Sequence, residues 1–506
     1  MKLKNIIIIL SLFLFVFSCK DSFLEDLPPS QTIIGSNTAL VTKDDLSIAV
    51  NGLYATMNSA SCFASSNQTY QELTGDNAFV GVVNSGRFTA TNGWGHISPD
   101  EGAGTGLWNK LYNIIANANF ILAYEGKIPE GDSSSTESVN QLFAHTHVIR
   151  ALCYTTLMQY FAPNYGEGDQ TLGVPYPTTF DVSQRLKRST VQEVYDGIIA
   201  DLNYANLNLT ESKGINKFNP LAVKLLTARV YLYMKNYPKA LEYAQQVIDD
   251  NSVQFLTITQ VPNYWLLNNE NGTFETLFQI YESSTINPGS NDALSATWSS
   301  SGTYKQNWMT ETFYKKFVPS SILTTYPYDS SLPASSTNNV ANRLKWTSNA
   351  TDVRAKYWYI TNTYVNNLTD SPKPINVTKY TSATRDVVLF RKSEAIFIKA
   401  EAQYYISPSD AANTLQNWVK TYRNPSYVIP ATSGQELLDE ILDQKGFEFF
   451  LEGHRFTDLK RNHKIVNKSV QTGNTFVAQG NDYRYIWPVP LTEIQTNPNV
   501  TQAPGY

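Results

Sequence analysis

Residues 219–250 read NPLAVKLLTARVYLYMKNYPKALEYAQQVIDD. Pro220 suits a first helical turn, where its missing N–H goes unused. Small and aromatic residues then recur as Ala228, Tyr231, Tyr237, Ala240, Ala244 and Val247, at offsets of 3, 6, 3, 4 and 3. These steps keep them on one face of each of two helices. Small Ala side chains let the two helices approach closely, and the Tyr rings fill the gaps between neighbouring hairpins.

The offsets match the small/aromatic pattern of a tetratricopeptide repeat, with a generic helical hairpin as the alternative. Ser393 to Tyr405 (SEAIFIKAEAQYY) reads as the first helix of another unit. The period between units is irregular, so hairpins are scattered along the chain. Other helices surround them. Asp44 and Asp45 precede an Ala/Leu/Tyr helix through Met57. Leu107, Leu111, Ile114, Ala118 and Ile121 recur at helical spacing, and Val139 to Phe161 is a long helix ending before Pro163. Thr190, with Glu193 three residues on, caps a helix reaching about Asn206. Residues 255–380 differ in texture. They are rich in Ser, Thr, Asn, Trp and Tyr and read as an irregular lobe of loops and short strands. The expected fold is therefore mainly α: a tetratricopeptide-like scaffold of helical hairpins, an α/α superhelix, carrying a loop-rich lobe.

The chain opens MKLKNIIIILSLFLFVFS before Cys19. Lys2 and Lys4 precede a short apolar run, Ile6 to Phe17, too short for a bilayer-spanning helix of ~20 residues. This is the pattern of a secretory signal. Val16-Phe17-Ser18-Cys19 resembles a bacterial lipobox, in which the cysteine becomes the first mature residue and carries lipid; a plain secretory signal is the alternative. Residues 19–35, through Pro28-Pro29, read as a tether. No later stretch has eighteen consecutive apolar residues.

Charged residues make up 16% of the chain and net charge is −5, below the ~25% charged share of typical soluble proteins. No Lys/Arg cluster stands out, so nucleic acid is not an expected partner. A surface built from Asn, Ser, Thr and 31 Tyr suits neutral polyol ligands. Five His and three Cys show no metal-ligand spacing, so neither metal nor cofactor is expected. Cys62 and Cys153 could bridge in an oxidising compartment; Cys153 falls in a helical pattern facing the core, so free thiols are expected.

Three stretches resemble the SusD/RagB-like outer-membrane lipoproteins of Bacteroidetes. The first is the lipobox with its tether. The second is the helical region: LWNKLYNIIANAN (107–119), LMQYFAPNYG (157–166), LGVPYP (172–177) and the repeat at 219–250. The third is the C-terminus. There FEFFLEGHRFTDLKR (447–461) matches through Glu448, Glu452, Gly453, Arg455, Asp458, Leu459 and Arg461. The end, WPVPLTEIQTNPNVTQAPGY (487–506), matches through Pro488, Pro490, Glu493, Asn497, Pro498, Gln502, Gly505 and Tyr506. Gln444-Lys445 stands where the family usually has Glu-Arg, which removes one possible ion pair. The resemblance divides the chain into a signal (1–18), the tether (19–35), an N-terminal helical region (36–254) and a C-terminal region (255–506).

It also implies a binding subunit, not an enzyme. Such proteins are anchored on the outer membrane through Cys19, facing the exterior, and form a lid over a SusC-like TonB-dependent transporter to which they deliver glycans. Asp21 and Glu25-Asp26 supply a partial acidic export patch. Peptide or glycopeptide capture on the same fold is the runner-up. The rival from another class is a secreted glycoside hydrolase, suggested by Glu448, Glu452, Arg455 and Asp458, since two carboxylates are what glycoside hydrolysis needs. Their i, i+3 and i+4 spacing on one helix instead favours structural ion pairs. Gly102-Ala103-Gly104-Thr105-Gly106 reads as a loop entering the helix at Leu107, without a phosphate-cradle motif. His145 and His147, two apart, cannot form a metal pair. Sugar rings stack on aromatic faces, so the candidate ligand contacts are Trp94, flanked by Gly93 and Gly95 and expected to be exposed, and Trp298, Tyr304 and Trp308 in the lobe; for any single one of them, packing inside the irregular lobe is the alternative and the stronger reading. Arg87 and Asn92 are the candidate hydrogen-bonding partners.

Overall fold

A computed structural model describes residues 39–95, 102–167, 172–181, 183–211, 214–266, 274–329, 331–332, 336–361, 375–468 and 476–506. Cys19, the signal and the tether lie outside the described residues.

The N-terminal half is a stack of helices. Helix α1 (Lys43–Met57) starts at a capping box in which Thr42 and Asp45 satisfy each other's backbone N–H. It is followed by α2 (Ser66–Leu73), strand β1 (Ala78–Val80), α3 (Gly102–Leu122) and α4 (Val139–Phe161). Almost every residue of α4 is buried, because α1, α3 and α5 all pack on it. A two-stranded antiparallel pair, β2 (Leu172–Pro175) with β3 (Arg188–Thr190), leads into α5 (Val191–Asn208). Thr190 and Glu193 form the expected capping box there.

The 219–250 unit is the hairpin α6 (Pro220–Tyr233) and α7 (Tyr237–Asp249). Ala228, Ala240, Ala244 and Val247 are fully buried between elements. Tyr237 stacks on Tyr405 with ring centroids 4.2 Å apart, joining this hairpin to the next.

The lobe contains β4 (Thr276–Ile280), β5 (Asn307–Met309), a helix the sequence texture did not announce, α8 (Thr337–Asn349), then β6 (Tyr359–Thr361), β7 (Ile375–Val377) and β8 (Val387–Arg391). Strands β1, β5, β7 and β6 form one antiparallel sheet in that order, so the lobe is sewn onto the N-terminal half through β1. Strand β4 pairs with β8. The chain then forms the second hairpin, α9 (Ser393–Ile406) with α10 (Pro408–Tyr422), followed by α11 (Gly434–Glu448), α12 (Arg455–Arg461) and α13 (Leu491–Thr496).

Three expectations are corrected. The stretch 447–461 is not one helix: α11 ends at Glu448 and α12 begins at Arg455. Leu451 and Gly453 between them have φ of 65° and 91°, left-handed values that cannot continue a helix. Residues 102–106 are not a loop but the opening turns of α3, and the Trp487 ring sits 3.6 Å from where a Gly104 Cβ would be. Trp94 is not exposed; its surroundings are described below. As expected, Cys62 and Cys153 are free; both are buried, and burial raises both thiols above their ordinary range. Among the described residues no helix is long and apolar enough to cross a membrane.

Candidate functional site

The acidic residues that suggested catalysis are sealed inside. Glu448 is fully buried and Glu452 is 5% exposed. Arg423 donates to both Glu448 carboxylate oxygens at 2.9 and 2.8 Å. Arg391 reaches Glu448 at 2.9 Å and Glu452 at 2.7 and 3.0 Å. Lys379 donates to Glu452 at 2.7 Å and to the Glu448 carbonyl at 2.8 Å. The break after α11 makes this possible, since it frees the Glu448 carbonyl and swings Glu452 toward Lys379 and Arg391. Burial raises the Glu448 carboxyl, but the guanidinium groups of Arg423, Arg391 and Arg354 outweigh it and hold the carboxyl well below the usual range. The cavity beside Glu452 is about 20 Å³, room for about one water. No substrate fits between these carboxylates.

Arg455 and Asp458 have similar structural partners. Arg455 holds Asp76 at 2.8 and 3.0 Å, and Asp458 pairs with Lys445 at 2.9 Å and Arg461 at 2.8 Å. Lys445 therefore keeps an ion pair at one of the departing positions, and Gln444 accepts a 2.6 Å hydrogen bond from Arg354 at the other. His145 and His147 use different partners, Glu137 and Asp201. Among the described residues no cluster of His, Cys, Asp and Glu could hold a metal ion.

The aromatic candidates separate into two groups. Trp94 is 1% exposed. Its Nε1 donates to the Thr74 carbonyl, and its ring is enclosed by Phe456, Phe476 and Tyr485. Its φ of 60° turns the ring inward, a conformation that flanking glycines did not foretell. Trp298 is equally buried, with Nε1 on Thr69 and Phe450 against its ring edge-on. Trp308 lies on β5 opposite Phe79 and packs against Gly81, where a Cβ would sit 3.2 Å from its Nε1. Asn92 is buried as well. All four side chains are buried, and Trp94 and Trp298 belong to the main hydrophobic core.

Arg87 and Tyr304 are brought together at the surface. The Arg87 guanidinium lies over the Tyr304 ring, 4.5 Å from its centroid. Its Nη1 donates to Asp292 at 2.8 Å and to the Asn291 carbonyl at 2.9 Å. The Arg87 side chain is 38% exposed and that of Asp292 is 49% exposed. An ion pair this wet contributes only ~0–1 kcal/mol to stability, so its placement costs the fold little to lose. Phe88, at φ 60°, turns the chain so that its own ring packs edge-on against Tyr70 while Arg87 faces out. Beside them lies a cavity of about 240 Å³, edged by Ser61, Ser65, Asn291, Asp292 and Thr297.

Gln306, which the sequence reading did not single out, fixes this shelf. It is fully buried. Its Oε1 accepts from Ser85 N and Oγ at 2.9 and 2.8 Å, and its Nε2 donates to the Arg87 carbonyl at 2.6 Å. A glutamine at the head of a buried strand gives no signal of this in sequence, because its partners are more than two hundred residues away. The shelf thus combines hydroxyls, an amide, a carboxylate, a guanidinium and an aromatic ring. That set can hydrogen-bond hydroxyls, and its one carboxylate, Asp292, is held by Arg87.

The protein is thus a helical-hairpin body with a loop-borne polar shelf and sealed acidic residues. Its relatives share this architecture. Residues 22–232 match a family model described as SusD-like, "Starch-binding associating with outer membrane", and residues 274–506 match the SusD family model. The chain belongs to the SusD/RagB family. It is 26% identical to SusD-like protein P2 of Formosa agariphila across 100% of this chain and 99% of that one. Starch-binding protein SusD of Bacteroides thetaiotaomicron is 30% identical over 141 residues, 26% of this chain and 24% of that protein. A SusD superfamily protein from Bacteroides vulgatus superposes with TM-score 0.77 and 25% identity, covering 92% of this chain and all of that one.

Proposed function

We propose that this protein binds neutral oligosaccharides at the outer surface of the outer membrane and hands them, unaltered, to a SusC-like TonB-dependent transporter. The observation that carries this reading is the pair of family matches spanning both halves of the chain, one of them described as starch-binding and outer-membrane-associated. A lipid on Cys19 would hold the helical body at the membrane, and the Arg87–Tyr304 shelf would engage the ligand. Arg87 and Asp292 offer donors and acceptors to hydroxyls, and the Tyr304 ring offers an apolar face.

The burial of Glu448 and Glu452 supports binding without chemistry, because neither carboxylate can reach a glycosidic bond. The test is calorimetric titration of the mature protein with a panel of neutral oligosaccharides, with mass spectrometry of the recovered ligand. Tight binding of an intact oligosaccharide, weakened in Arg87→Ala, is expected. Cleavage of any member, or binding of peptides alone, overturns the reading. Pull-down of a large barrel partner from membranes, lost in Cys19→Ala, tests the anchoring and delivery steps.

A further inference from the structure

A second cleft, of about 460 Å³, opens between α3, the residues from Pro175 to Asp181 with Gln184 and Leu186, and α13. It shares no lining residue with the Arg87 cavity. Its walls are held apart by side chains bonded to backbone carbonyls. Tyr112 donates to Pro175 O at 2.7 Å, Asn119 to Pro177 O at 2.8 Å, and Asn497 to Leu186 O at 3.0 Å. Asn119 and Asn497 are buried, so these struts are part of the fold and the cleft is preformed. Its volume is in the range of small-molecule sites, ~300–1,000 Å³.

The remaining groups have chemistry to spare. Asn109 and Asn113 sit one turn apart on α3, ~6 Å along its axis, and among the described residues their amides have no hydrogen-bond partner. Glu493 engages Asn497 through Oε1, and Asp181 engages Ser183 through Oδ1, which leaves each carboxylate a second oxygen. Phe180 and Tyr112 supply rings. Among the lining residues there is no Lys, Arg or His. Amides that donate and accept, carboxylates that only accept and aromatic faces together suit a ligand rich in hydroxyl donors. An anion would meet two carboxylates and no cation.

We infer that this cleft is a second ligand site, taking a neutral sugar ring independently of the Arg87 shelf. The inference stands on the lining chemistry and does not need the shelf to bind sugar. The experiment uses the mature protein and a panel of neutral disaccharides (maltose, cellobiose, laminaribiose, mannobiose and xylobiose), with glucuronate and glucosamine as charged controls. Binding is read by saturation-transfer NMR and by the fluorescence change of the protein. In an Arg87→Ala background at least one neutral disaccharide should still bind. Asn113→Trp, which fills the cleft from an exposed helix position, should abolish that residual binding with the melting temperature unchanged. Asn109→Ala should weaken it by about two- to tenfold, the loss of one neutral hydrogen bond. No residual neutral-sugar binding in Arg87→Ala, residual binding indifferent to Asn113→Trp, or binding of glucosamine alone would each overturn the inference. Failure of the shelf reading looks different: Arg87→Ala would leave all sugar binding intact.

Discussion

The Glu448–Arg391–Arg423 cluster and the Arg87–Asp292–Tyr304 shelf use the same residue types to opposite ends. In the first, side chains that are fully buried satisfy one another, away from solvent. In the second, one ion pair lies half in solvent beside a cavity of about 240 Å³. Charge inside the protein fixes the join between α11, α12 and the lobe. Charge outside it stays in contact with water. A motif of acidic and basic residues therefore says nothing about chemistry until its burial is known.

The comparison breaks most visibly at Glu448. Glu448→Gln leaves the guanidiniums of Arg391, Arg423 and Arg354 without their shared carboxylate, a change expected to cost about 3–5 kcal/mol. Urea denaturation measures it; a loss below ~1 kcal/mol would mean the cluster is not structural. Trp94→Ala should be of similar size, about 3–5 kcal/mol, because its ring fills a core of Phe456, Phe476 and Tyr485. A Trp94→Ala protein that folds normally but fails to bind would restore Trp94 as a ligand contact.

The pH dependence sharpens the same point. The folded Glu448 carboxyl is held below its ordinary value of 4.5. Such an acid adds stability above that value and loses it as pH falls toward the folded one. Wild-type melting temperature should therefore drop below pH 4.5 more steeply than that of Glu448→Gln. Parallel curves would contradict the assignment.

At the shelf the expected effects move from stability to binding. Gln306→Ala removes three hydrogen bonds to the 85–87 loop and should cost about 1–3 kcal/mol, with weaker ligand binding because Arg87 loses its support. Arg87→Ala should change stability by less than ~1 kcal/mol.

Most of the helical frame was legible in sequence because it rests on local rules. The cap at Thr190, the Ala/Tyr face of 219–250 and the apolar run of 139–161 each declare themselves within a few residues, whereas α1 is capped at Thr42, two residues before the Asp44-Asp45 pair that marked it in sequence. The break at 449–454 was hidden. Nothing in FEFFLEGHRFTDLKR forbids a helix except Gly453, and the break is stabilised by Arg391 and Lys379, distant in the chain, which bind the freed carbonyl. The candidate shelf was legible only in part. Arg87 and Tyr304 meet at the surface, but Trp94, Trp298 and Trp308 are buried. A tryptophan between glycines can face either way, and a left-handed φ at Trp94 decides it. Asp292 and Gln306 depend on contacts across the whole chain, which a single sequence does not display.

The most direct test of surface binding without chemistry is the affinity of one neutral oligosaccharide for wild type, Arg87→Ala and Glu452→Gln, with the ligand recovered and weighed. The expected result is an intact ligand. Arg87→Ala should lose about 1.5–3 kcal/mol of affinity, more than tenfold, while folded Glu452→Gln binds as wild type does. A cleaved ligand protected by Glu452→Gln, or affinity unchanged in Arg87→Ala, would contradict the account.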